Sequence, residues 1–117
     1  MEINLVEKTD IRLLLKVHGD ILMENSKDFY NRIRELIDDS VSMKSLCFDF
    51  TKVQFMDSSG IGSLIKLTGD LKRQGCQVYM YNLNKNLKAV FQLSGISGII
   101  KIKTPQEYLD DFPDLSK

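Results

Sequence analysis

The chain has 117 residues, with 16 Lys plus Arg balanced by 16 Asp plus Glu, and 43% of residues hydrophobic. That length suits one domain able to bury roughly two-thirds of its unfolded surface. With no net basic charge and no Lys/Arg run, it offers little grip on a nucleic-acid backbone, and no apolar stretch approaches the ~20 residues of a membrane span. Met1-Glu2-Ile3-Asn4 has neither the basic start nor the apolar run of a signal peptide, so a cytoplasmic chain, monomeric by default, is expected. Cys47 and Cys76 lack CxxC spacing and a nearby histidine. They are expected to be buried and reduced, with no metal and no cofactor.

Ile3, Leu5 and Glu7 stand at alternate positions, as on a half-buried strand. Lys8-Thr9-Asp10 reads as a turn, and Ile11 to His18 as a second strand pairing with the first. Ser26 can cap a helix carrying Phe29, Ile33, Leu36 and Ile37 on one face, ended by Asp38-Asp39-Ser40. Ser45 to Phe50 is an apolar run without alternation, as in a central strand buried on both faces.

A helix with Ile61, Leu64, Ile65, Thr68 and Leu71 on one face follows the segment Asp57-Ser58-Ser59-Gly60-Ile61-Gly62. Gly75 stands where a left-handed C-terminal cap belongs. Gln77 to Tyr81 is the next strand. Asn82 or Asn84 can start a helix bearing Leu87, Val90, Phe91 and Leu93, stopped by Gly95. Ile99 to Ile102 is a last short strand. Thr104-Pro105-Gln106-Glu107 combines an N-cap, a proline at the first helical position and a capping-box glutamate. The helix it starts carries Tyr108, Leu109 and Phe112.

The predicted order is ββαβαβαβα, an α/β fold. It implies a mixed, mostly parallel sheet of four or five strands with about four helices, the first strand antiparallel at an edge. In such sheets, ligands and partners meet loops at the carboxyl ends of strands. Two loops there are distinctive, Gly19 to Asn25 and Thr51 to Gly62.

In the second loop, Asp57 or Ser58 can cap the following helix, and Gly60 and Gly62 carry no side chains to crowd that end. A serine hydroxyl then sits at the positive end of a helix dipole, where an anion such as a phosphate is stabilised. An ordinary helix start is the competing reading. Two glycines in the first turns cost roughly 1 kcal/mol each against alanine, more than a cap requires, which favours a functional loop.

Phe55-Met56-Asp57-Ser58-Ser59-Gly60-Ile61-Gly62 after Phe48-Asp49-Phe50-Thr51 resembles the signature of the STAS domain. The likeness is greatest to bacterial anti-sigma factor antagonists. It extends over nearly the whole chain: Val17-His18-Gly19-Asp20-Ile21, Gln74-Gly75-Cys76-Gln77-Val78 and Val90-Phe91-Gln92-Leu93-Ser94-Gly95-Ile96 all fall in the family's order. The resemblance implies a single STAS domain over 1–117 that is a substrate and switch, not an enzyme. Ser58, with Ser59 as fallback, would be phosphorylated by an anti-sigma factor that is also a serine kinase with an ATP-binding domain. Unphosphorylated, the chain would bind that partner and release a sigma factor. A serine phosphatase of the metal-dependent class would reset it. The implied partner-binding residues are Leu22, Met23, Asn25, Met56, Asp57, Ser58, Ser59, Gly60 and Ile61. Relatives usually carry Asp or Thr where this chain has Leu22-Met23-Glu24. Those apolar side chains read either as packing or as exposed anchors.

Other classes lack their residues. The lone histidine, His18, ends a strand, and no serine lies in G-x-S-x-G. No dinucleotide fingerprint or Walker lysine is present. A response-regulator receiver would need a phospho-accepting aspartate at a strand mouth, whereas Asp49 lies inside a strand. Asp38-Asp39 and Asp110-Asp111 read as solvated helix-end charges. The alternative within the family is a STAS docking subunit or scaffold without phosphorylation, for example in a lipid-transport complex.

Overall fold

The computed structural model describes residues 1–37 and 42–116, so the expected helix end at Asp38-Asp39-Ser40 lies outside the described residues. The elements are β1 (Glu2–Lys8), β2 (Arg12–His18), α1 (Ser26–Leu36), β3 (Ser45–Lys52), α2 (Ser58–Arg73), β4 (Gln77–Tyr81), α3 (Lys85–Leu93), β5 (Ile100–Lys103) and α4 (Pro105–Asp111). Short 3-10 turns cover Ile96–Gly98 and Pro113–Ser116. This is the predicted order. Among the described residues the five strands form one sheet in the order β1-β2-β3-β4-β5. β1 pairs antiparallel with β2 at the edge, and every later pairing is parallel.

β3 occupies the middle because both its faces are apolar. Leu46, Phe48 and Phe50 join the main core with Phe29, Ile33, Leu64, Leu67, Leu71, Leu87 and Phe91 from α1, α2 and α3. On the opposite face Cys47 packs with Leu14, Tyr81 and Phe112 under α4. Both cysteines are buried. Burial pushes the Cys47 thiol up to about 12 and raises that of Cys76, so neither presents a thiolate.

Several apolar residues expected on buried faces are exposed: Leu36, Ile65, Val90, Leu93 and Leu109. Leu67 takes the core position beside Thr68 that Ile65 was expected to share. Along β1 the alternation fails at Leu5, which is half exposed, and a bulge between Leu5 and Glu7 then shifts the register. Asn82 does not start a helix. It adopts a left-handed φ of 62°, and Asn84 is the cap, accepting from Leu87 N–H at 2.8 Å. The capping box at Thr104 and Glu107 and the left-handed Gly75 are present as expected, and Gly95, expected to stop its helix, is left-handed too. Asp111 is not a bare solvated charge. It accepts from the Tyr81 hydroxyl at 2.7 Å and pairs with Lys103 at 3.4 Å, fastening α4 to the sheet.

Candidate functional site

The carboxyl ends of β2 and β3 carry the two distinctive loops, and backbone bonds sew them together. Gly19 N–H donates to Lys52 O at 3.0 Å, and Ile21 N–H to Phe55 O at 3.3 Å. An isolated parallel bridge joins Ile21 to Met56. Asp20 Oδ1 accepts from Gln54 N–H at 3.2 Å and Phe55 N–H at 3.0 Å. Asn25 closes the first loop on itself, accepting from Leu22 N–H at 2.8 Å and donating to Asp20 O at 3.0 Å.

That use of Asn25 corrects the expected start of α1. Asn25 occupies the N-cap position without a side-chain cap bond, and Ser26 is the buried first helical residue instead of the cap. Ser26 O is met by the Ser63 hydroxyl at 3.0 Å, which joins the first turns of α1 and α2.

Asp57 caps α2, accepting from Gly60 N–H on Oδ1 at 2.9 Å. Its second oxygen reaches the other loop and accepts from Met23 N–H at 2.9 Å. The Gly60 bond is the chief cause, with Met23 and Ser59 N–H groups adding to it, that holds this carboxyl below the usual aspartate value. Asp57 is therefore an anion at working pH, committed on both oxygens.

Ser58 follows as the first residue of α2, and its side chain is exposed. Around it Met23 is 73% exposed, while Leu22, Asn25, Asp57 and Ser59 are half-buried. Met56, Gly60 and Ile61 lie buried beneath this surface. Of the expected partner-binding residues, those three support the loop from inside. Two exposed side chains at the loop were not among the expected partner-binding residues. Phe55 is 58% exposed, two residues before Asp57, between buried Val53 and Met56. Ile65 is exposed on the α2 stripe of Ser58 and Gly62, at the i, i+4, i+7 spacing. That spacing was the readable signal. Phe55 had none, since it belongs to no periodic pattern.

The two glycines differ. A Cβ on Gly60 would stand 2.2 Å from Ile21 O, whereas one on Gly62 would meet nothing within 4 Å. Gly60 thus serves the close approach of the first loop to α2. The helix-propensity cost of Gly60 therefore has a packing reason.

The remaining candidates lie elsewhere on the sheet. His18 is exposed at the end of β2. Asp49 is buried, accepting from Thr51 N–H at 2.9 Å, the Thr51 hydroxyl at 2.5 Å, Asn82 Nδ2 at 3.1 Å and the Tyr108 hydroxyl at 2.9 Å. It ties β3 to the β4 end and to α4. Among the described residues no group of three His, Cys, Asp or Glu is placed to hold a metal ion, and no helix is long and apolar enough to cross a membrane.

The family model of the STAS domain matches residues 2–107. The chain belongs to the STAS domain family. Among curated relatives, it is 27% identical over 90 residues to an anti-sigma-B factor antagonist of Listeria monocytogenes, an alignment covering 74% of this chain and 79% of the relative. Among solved structures, an anti-sigma factor antagonist from Mycobacterium paratuberculosis superposes with a TM-score of 0.73 at 20% identity, covering 94% of this chain and 93% of the other. The Bacillus cell fate determinant SpoIIAA in its phosphorylated form superposes with a TM-score of 0.69 at 21% identity, covering 94% and 98%. The two structural likenesses concern the fold.

Proposed function

We propose that this STAS protein is an anti-sigma factor antagonist switched by phosphorylation of Ser58. The observation that carries the reading is the exposed Ser58 hydroxyl on the first residue of α2, beside an anionic cap and an exposed apolar loop apex at Met23. The name of the Listeria relative supports the role. The partner is an anti-sigma factor that is also a serine kinase with an ATP-binding domain. Unphosphorylated chain binds it and a sigma factor is released. The kinase moves the γ-phosphoryl group of ATP to Ser58 Oγ, ADP leaves, and the hydroxyl proton passes to a base on the kinase. A serine phosphatase of the metal-dependent class restores the hydroxyl. The chain, acting in the cytoplasm as one domain over 1–117, is a substrate with no catalysis of its own.

Physical chemistry makes one phosphate sufficient. It adds about −1.5 to −2 charges and acceptor oxygens. N–H groups at the helix end satisfy it within the chain, so the fold survives. A partner surface shaped for a neutral hydroxyl meets bulk and an unpaired charge. A loss of ~2.7 kcal/mol, within reach of one buried unpaired charge, is about 100-fold in affinity.

Incubation with the kinase of the same genome and ATP, followed by intact mass and site mapping, should show one phosphate on Ser58. Ser58→Ala should bind the partner constitutively and Ser58→Asp about 100-fold more weakly. Equal binding of the two variants, or no phosphate on either Ser58 or Ser59, would overturn the reading. The second result would favour a STAS docking subunit.

A further inference from the structure

Asp57 has two oxygens and two tasks that lie in different parts of the chain. Oδ1 holds Gly60 N–H and so caps α2. Oδ2 holds Met23 N–H, 34 residues away, at the apex of the β2–α1 loop. The lower part of that loop is fixed independently, by the Ile21–Met56 bridge and by the Asp20 and Asn25 side chains. Met23 itself is 73% exposed, and its backbone N–H ties it to the helix end through the Asp57 carboxylate. Ser58, the neighbour of Asp57 in sequence, is the residue that would receive the phosphate.

We propose that Asp57 is a positioning residue, holding the Met23 apex in its docking position through the Met23 N–H bond, and that phosphorylation of Ser58 breaks this bond. The proposal rests on the Ser58 switch described above and adds how the modification reaches the rest of the docking surface. A dianionic phosphate on the next residue repels the carboxylate and competes with it for the N–H groups of the first helical turn. The carboxylate can turn away from the phosphate only by giving up one of its two donors. Gly60 N–H lies in the ordered helix, whereas Met23 N–H lies on a surface loop, so the loop yields first. Phosphorylation then both blocks the surface near Ser58 and loosens the apolar element beside it.

The two tasks of Asp57 can be separated. Asparagine is as good an N-cap as aspartate, but its amide has one acceptor oxygen and its NH2 cannot accept from Met23. The test uses amide spectra of ¹⁵N-labelled full chain in four forms: wild type, wild type with phosphoserine genetically placed at 58, Asp57→Asn, and both changes together. In wild type the Met23 amide should lie downfield, as for a charge-assisted bond. It should move upfield in phosphoserine-58 chain and to the same place in Asp57→Asn, and the combined form should move it no further. Asp57→Asn should keep its helix content and bind the kinase partner about tenfold more weakly.

A Met23 amide that stays put on phosphorylation, or that shifts fully again in the Asp57→Asn background, would overturn the coupling and leave the Ser58 switch standing. Met23 shifting with phosphoserine while the kinase and ATP leave the chain unmodified would overturn the switch and leave the coupling.

Discussion

Exchanging each of two neighbouring glycines for alanine should change stability in opposite directions. In Gly60→Ala the new methyl would lie 2.2 Å from Ile21 O and 3.0 Å from Ile21 C, both backbone atoms that cannot rotate away. Relief requires the β2–α1 loop to move off α2. Overpacking of this kind costs about 1–3 kcal/mol. The movement also weakens the bonds from Ile21 N–H to Phe55 O and from Met23 N–H to Asp57, each with a net value of ~1 kcal/mol. Alanine returns ~1 kcal/mol of helix propensity. The balance is a loss of about 2–4 kcal/mol, which at an unfolding entropy of ~2.1 cal/mol/K per residue lowers Tm by roughly 8–16 °C for a chain of this length. In Gly62→Ala nothing stands within 4 Å of the new methyl, so the propensity gain is realised alone. Stability should rise by about 0.5–1 kcal/mol and Tm by roughly 2–4 °C. Thermal melts followed by circular dichroism, with urea curves for the same proteins, measure both. A Gly60→Ala protein as stable as Gly62→Ala would refute the close approach of Ile21 to α2.

Two further predictions concern buried polar groups. The Thr68 hydroxyl, 1% exposed as a residue in the middle of α2, finds no hydrogen-bond partner among the described residues. Thr68→Val removes that orphan at nearly constant shape and should stabilise the chain by ~1 kcal/mol. A raised urea midpoint at unchanged slope is the expected result, and a lowered midpoint would count against it. For Asp49, burial by itself pushes the carboxyl up, but the hydrogen bonds from Thr51, Asn82 and Tyr108 outweigh it and leave the group below the ordinary aspartate value of 3.8. A folded value below the unfolded one adds stability that is present above the unfolded value and is lost as pH falls through the folded value. Asp49→Asn turns an NH2 group toward donors and should cost about 2 kcal/mol at neutral pH. Urea curves from pH 7 downward should show this gap shrinking below pH 3.8 as the wild-type carboxyl is protonated; a gap independent of pH would refute the assignment.

The order of elements was legible because its causes are local. The i, i+4 spacing of Phe29 and Ile33, the unbroken apolar run of β3, the glycines at Gly75 and Gly95 and the box between Thr104 and Glu107 all act within a few residues of chain. So was the presence of an exposed serine at a helix start, since Asp57 caps Gly60 three residues on. Partners distant in sequence could not be read this way. Apolar spacing marks a helical stripe but not its rim, so Ile65, Leu93 and Leu109 were assigned inward while the sheet covers only part of each stripe. The resemblance put Asn25 on the partner-binding surface, and nothing in its local sequence told that its amide is taken up by Leu22 and Asp20. Gly60 looked like an opening for an anion, yet it answers to Ile21 on the neighbouring loop. Composition and short-range stereochemistry determined a neutral α/β chain with a serine at the mouth of its sheet. Tertiary structure decided which carboxylate oxygen meets which loop, because parallel pairing of β2 with β3 is what brings Met23 and Asp57 together.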